Sequence, residues 1–164
     1  MDITFLGQSC FQLSDGTTTV LIDPFLTGNP KAAADASEVE ATNILLTHGH
    51  ADHLGDTVDI AKRTGANVTA IVELAGEVGE DDVEVNDPNL GGTVKFDWGW
   101  VKLVPAWHTA VSPSGTAHMP AGLLIHYDTF PLVATDAQAF KQDVENAGFS
   151  QVYVLEPGDT HELK

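Results

Sequence analysis

Thr47-His48-Gly49-His50-Ala51-Asp52-His53 is the stretch on which the reading of the whole chain turns. Three of the chain's seven histidines fall inside it, with a carboxylate ahead of the last. Neutral imidazoles and a carboxylate suit zinc and other borderline divalent metals. On the N-terminal side, Thr42-Asn43-Ile44-Leu45-Leu46 is a short apolar strand. On the C-terminal side, Leu54, Val58 and Ala61 recur at i, i+4 and i+7, one face of a helix. Asp52 is expected to cap that helix and Gly65 to stop it. The motif thus lies at the C-terminal end of a strand, where α/β sheets present ligands. His48 and His50 alternate along an extended segment and can point the same way. Asp52 and His53 open the helix and can address a second point. Such a turn can serve two neighbouring metals, about 3.5–4 Å apart, that clamp a hydrolytic transition state.

Outward from the motif, residues 3–6, 10–13 and 19–22 read as strands, 25–40 as a loop and 68–72 as a strand. The succession strand, strand, helix, strand predicts an α/β unit. Residues 77–87 are acidic and expected to be exposed. Residues 93–96 and 100–104 read as strands around an Asp97-Trp98-Gly99 turn, and 105–120 as a long loop. A strand is expected over 121–127. Thr135 and Gln138 resemble a capping box ahead of a helix bearing Phe140, Val144 and Ala147, stopped by Gly148. Residues 152–155 read as the last strand.

With 164 residues the chain is expected to form one domain, 1–164. An apolar content of 43% excludes a disordered chain. No apolar run approaches the roughly 18 residues of a membrane span. The start, Met1-Asp2-Ile3-Thr4, lacks the basic and apolar regions of a signal peptide, and a lone Cys10 cannot form an internal disulfide. A cytoplasmic protein is expected. Asp and Glu number 24 against 7 Lys and Arg, a net charge of −17, and Arg63 is the only arginine. That balance argues against nucleic acid as a partner. It reads instead as a halophilic-like acidic surface, whose self-repulsion salt would screen.

His48-x-His50-x-Asp52-His53 resembles the signature of the metallo-β-lactamase superfamily. The likeness is to metal-dependent hydrolases related to L-ascorbate-6-phosphate lactonase. It extends through the segments Ile22-Asp23-Pro24-Phe25-Leu26-Thr27-Gly28-Asn29-Pro30, Gly55-Asp56-Thr57, Ala61-Lys62-Arg63-Thr64-Gly65-Ala66 and His126-Tyr127-Asp128-Thr129-Phe130-Pro131. The resemblance implies an αββα sandwich with the metal site along one edge of two sheets. It also implies that His48, His50 and His108 (in Pro105-Ala106-Trp107-His108-Thr109) hold a first metal. Asp52, His53 and His126 match the ligands of a second. The implied cofactor is one or two divalent ions, zinc ahead of manganese.

The chain departs from the resemblance at one place. Relatives carry an aspartate that bridges the two metals, in an Ala-Gly-Asp-Thr segment ahead of the histidine matching His126. Here Leu123-Leu124-Ile125 runs directly into His126-Tyr127, as though part of the second half of the sandwich were deleted. Gly158-Asp159-Thr160 resembles the missing segment but follows His126, and His161 lies beside it. Gln8 stands where relatives often have histidine, and His118 lies in the loop facing the expected site, read as a solvated residue ahead of a substrate contact. The expected activity is hydrolysis of an ester, lactone or phosphoester bond of a small molecule by a metal-bound water, which Asp52 would orient or deprotonate. The alternative is a catalytically degenerate metal-binding domain. Sheet edges bared by the deletion would favour a homo-oligomer.

Overall fold

The computed structural model describes residues 1–121, 137–146 and 152–162. In chain order its elements are β1 (Asp2–Gly7), β2 (Cys10–Ser14), β3 (Thr19–Ile22), β4 (Asn43–Leu45), α1 (Ala51–Leu54), α2 (Thr57–Thr64), β5 (Asn67–Thr69), α3 (Val72–Gly79), β6 (Val85–Asn86), β7 (Thr93–Phe96), β8 (Gly99–Lys102), α4 (Ala137–Asn146) and β9 (Thr160–Glu162). The main sheet runs β6-β5-β4-β3-β2-β1-β9. Strands β1, β2 and β3 form an antiparallel meander, because short turns join them. From β3 to β6 the strands are parallel, and each step needs a crossover, the last two through α2 and α3.

Strands covered on both faces need apolar side chains where the layers meet, and the centre of this sheet has them. Leu21, Ile44 and Val68 stand in register across β3, β4 and β5 and are fully buried. Onto them α2 lays Ile60 and Ala61, and α3 lays Leu74, Ala75 and Val78. The β7–β8 hairpin forms a separate two-stranded sheet. Trp98 Nε1 pins it to the foot of β4 by donating to Asn43 Oδ1 at 2.8 Å. This is the mixed α/β class expected from the sequence. Among the described residues no helix is long and apolar enough to cross a membrane.

Several local expectations are overturned. The helix bearing Leu54, Val58 and Ala61 is two helices, broken at Gly55. Gly55 has φ +42, and a Cβ there would lie 2.5 Å from Pro24 O. The chain therefore passes the 24–25 backbone at a distance only glycine allows. Asp56 gives its carboxylate to the Leu26 and Thr27 amides, at 2.8 and 2.9 Å, and does not cap α2. Asp52 is not a cap either: it sits in the first turn of α1, with His50 at the cap position. Gly65 does end α2, in the left-handed conformation.

The strand over 68–72 stops at Thr69, and α3 follows and runs into the stretch from 77 that was expected to be exposed. Ile71, Leu74, Ala75 and Val78 have helical spacing, and their burial outweighs the roughly 1 kcal/mol that Gly76 costs inside a helix. Val83 is buried too. Residues 152–155 are not a strand; the last strand is β9, antiparallel to β1. Beyond Ala121, which bridges to Pro105, the strand expected over 121–127 lies outside the described residues. So do the Thr135 cap and the Gly148 stop.

Candidate metal centre

β3 and β4 end side by side, and their carboxyl ends carry the site. Asp23 follows β3, buried and with φ +44, a left-handed conformation that aspartate tolerates better than most residues. Its Oδ1 accepts the Thr47 amide at 2.8 Å. Its Oδ2 accepts the Thr47 hydroxyl at 2.5 Å and faces His53 Nδ1 at 2.8 Å. One buried carboxylate thus grips both ends of the Thr47–His53 turn. Ser9 Oγ also lies 3.0 Å from His53 Nδ1. Because the Thr47 hydroxyl donates to Asp23, it presents a lone pair to His48 Nδ1, 3.0 Å away. His48 and His53 are therefore held as Nδ1–H tautomers, which makes Nε2 of each the unprotonated nitrogen, the form that coordinates a metal.

His48 Nε2 lies 3.0 Å from His50 Nδ1. Ligand atoms of His48, His50 and His108 all lie within 4.8 Å of one another. Around a tetrahedral zinc, with bonds of 2.0–2.1 Å, ligand nitrogens are about 3.3 Å apart. The three rings already stand close to that arrangement. Burial, reinforced by the neighbouring His53, His50 and His108, pushes the His48 imidazole down to about 3. Burial, followed by His108, lowers His50 as well. Both rings are neutral at pH 7, the form in which imidazole coordinates. The donor set thus fits a divalent ion. His48 is buried, His50 half-buried and His108 exposed, so the cluster opens to solvent on the side of His108.

Residues 3–118 match the metallo-beta-lactamase superfamily. The chain belongs to that superfamily. Its α/β layers and its histidine motif at the strand ends are the superfamily fold. The chain is 33% identical over 229 aligned positions to a UPF0173 metal-dependent hydrolase of Methanopyrus kandleri, covering 99% of this chain and 100% of that protein. It is 44% identical over 126 residues to a UPF0173 metal-dependent hydrolase of Thermus thermophilus. That match takes in 76% of this chain but 56% of the relative, so the chain spans about half the length of such relatives. Igni18, described as a novel metallo hydrolase from Ignicoccus hospitalis, superposes with a TM-score of 0.83 at 25% identity, over 99% of each chain.

Not every superfamily residue named from the sequence joins the cluster. Asp52 and His53 stand beside it, with His53 Nε2 3.9 Å from Asp52 Oδ2. Gln8 Nε2 donates to that same oxygen at 2.7 Å, from a left-handed turn after β1. His126 lies outside the described residues. Asp159 accepts the Glu156 amide at 2.9 Å and closes its own turn, while His161 stacks on Tyr153 with ring centroids 3.8 Å apart. Among the described contacts neither reaches the histidines. His118 is half-buried and bonded within the protein: its Nε2 takes the Gly49 amide at 2.9 Å. Sequence reasoning missed the part played by Asp23, Ser9 and Thr47. The signal for Asp23 was there: a carboxylate directly after an apolar strand, before proline, beside the motif-bearing strand.

Proposed function

We propose that the chain is a metal-dependent hydrolase acting on an ester, lactone or phosphoester bond of a small molecule. The convergence of three histidine nitrogens at an open strand end, with burial keeping His48 and His50 uncharged, carries this reading. A zinc ion, or manganese in its place, would supply Lewis acidity and an activated water when bound there. His48, His50 and His108 would hold it. Asp52, oriented by the Gln8 amide, would accept a proton from the nucleophile or align it. Asp52, His53 and His126 would offer a weaker second position. Zinc counted per chain, together with turnover on ester, lactone and phosphodiester panels, tests the proposal. Loss of both in His48→Ala is the expected result; tight zinc binding with no turnover on any substrate would sink it.

The second reading, a metal-binding domain without catalysis, draws support from length. The alignment with the Methanopyrus relative runs over 229 positions, while this chain has 164 residues. The relative therefore carries a stretch without a counterpart, as expected if the segment with the bridging aspartate is missing. Such a loss would favour a single metal and a homo-oligomer that covers the bared sheet, checked by light scattering. Nucleic acid is disfavoured as a partner, because the only arginine is engaged elsewhere. Arg63 donates to Glu40 Oε1 at 3.0 Å, to Ala36 O at 3.2 Å and to Val39 O. A cytoplasmic location and a salt-tolerant acidic surface complete the proposal. The lone cysteine, buried as Cys10, and the charge of −17 support them.

A further inference from the structure

We propose that His118 is a positioning residue of the metal centre. As a neutral hydrogen-bond acceptor it clips the loop that delivers His108 onto the turn between His48 and His50. The inference rests on the three-histidine site proposed above, and concerns what sets its geometry.

The ring's two partners define its state. His118 Nδ1 lies 3.2 Å from Thr116 O, a carbonyl that can only accept, so Nδ1 carries the proton. Nε2 then presents a lone pair, and the Gly49 amide, which can only donate, lies 2.9 Å from it. That amide belongs to the peptide joining His48 to Gly49. Its orientation sets the angle at which the first two ligands leave the backbone. Gly49 is buried and closely covered: a Cβ would lie 2.7 Å from His118 Cε1, 2.9 Å from Leu74 Cδ1 and 3.2 Å from Ser112 Cβ. Loop and turn are therefore in direct contact at the point where the ligand pair is hinged.

The loop has other ties. Ser112 Oγ donates to Glu77 Oε2 at 2.6 Å, Ser112 N to Thr116 O at 3.0 Å and His118 N to Ala110 O at 3.2 Å. Ala121 N donates to Thr47 O at 2.9 Å. These contacts hold the loop's shape and its far end. The His118 imidazole is the side chain that takes hold of the turn between the ligands. A glutamine side chain can place an acceptor oxygen at a similar reach, whereas leucine fills the space and accepts nothing.

The test compares the parent chain with His118→Gln and His118→Leu. In the metal-free chain, ring nitrogen shifts should report the Nδ1–H tautomer. The Gly49 amide should be protected from exchange in the parent and in H118Q, and should exchange freely in H118L. With zinc, chelator competition should show H118L binding 10- to 100-fold more weakly, as for other groups that orient ligands. A cobalt-loaded H118L should have a shifted visible spectrum. H118Q should stay within about threefold of the parent, near the scatter expected for a conservative exchange. Parent-like zinc affinity and cobalt spectrum in H118L overturn the proposal. So does H118Q binding as weakly as H118L. Should H118L fail to fold, H118Q decides alone: it must fold and hold zinc as the parent does. A parent chain that takes up no zinc overturns the three-histidine site instead, and the metal-free tautomer and Gly49 exchange still decide the clip.

Discussion

The two sides of the metal centre are built differently. His48 follows β4 and His53 lies in α1, both beside a carboxylate at the end of β3 that grips Thr47 and His53. His108 arrives on a loop whose local pairing is limited to isolated bridges, next to Trp107, which is fully exposed. The strand side is buried, and the hydrogen-bond role of each group there is determined by its neighbours. The loop side is open, with a few bonds tying it to the turn. A site open to solvent on one side needs one wall that is rigid and one that is accessible, and this molecule assigns them to different parts of the chain.

The largest break in that contrast should come from Asp23→Ala. It removes the acceptor of the Thr47 amide and the nearest oxygen to His53 Nδ1, at about 1–3 kcal/mol for each group. Urea denaturation should show a loss of about 3–5 kcal/mol with weaker zinc binding; a loss below about 1 kcal/mol would mean that the strand side is not held by this carboxylate. Gly49→Ala should cost about 1–3 kcal/mol, by forcing a methyl against His118, Leu74 and Ser112. A neutral result in the same assay would show that loop and turn can separate freely.

A smaller effect should follow pH. Burial, then the charges of Asp23 and Asp56, pushes the Cys10 thiol well above its ordinary 9.0. The native chain keeps a proton that the unfolded chain releases above 9.0, so stability is unaffected below that pH and falls as pH rises beyond it. The slope should approach about 1.4 kcal/mol per pH unit and vanish in Cys10→Ala. Identical slopes in both chains would remove Cys10 from the account. The smallest stability effect belongs to the open wall. His108→Ala should change the metal-free chain by no more than about 0.5 kcal/mol while abolishing tight zinc binding. A large loss of metal-free stability would make the loop a structural part of the core.

The motif was legible because its ligands lie close together in sequence and fall at a change of hydrophobic period, from Ile44-Leu45-Leu46 to the helical spacing beyond. The strands that position it were legible for the same reason. The break at Gly55 was not, because its cause is the 24–25 backbone passing within 2.6 Å of a missing Cβ. Helix α3 was hidden by its acidic surroundings, although Leu74, Ala75 and Val78 carry a helical pattern. His118 read as a solvated loop residue, since nothing near it in sequence shows that Gly49 is its partner.

By itself, the sequence determined the α/β class and the superfamily. These depend on local period and on residue types, which tertiary contacts do not alter. Only the tertiary structure decided how the imidazoles are held: Asp23 beneath the turn, Gln8 on Asp52 and His118 on Gly49. Each of those contacts joins residues at least 24 positions apart through a hydrogen bond. Which donor meets which acceptor over such separations depends on how strands and loops pack, and no local pattern in the chain encodes it.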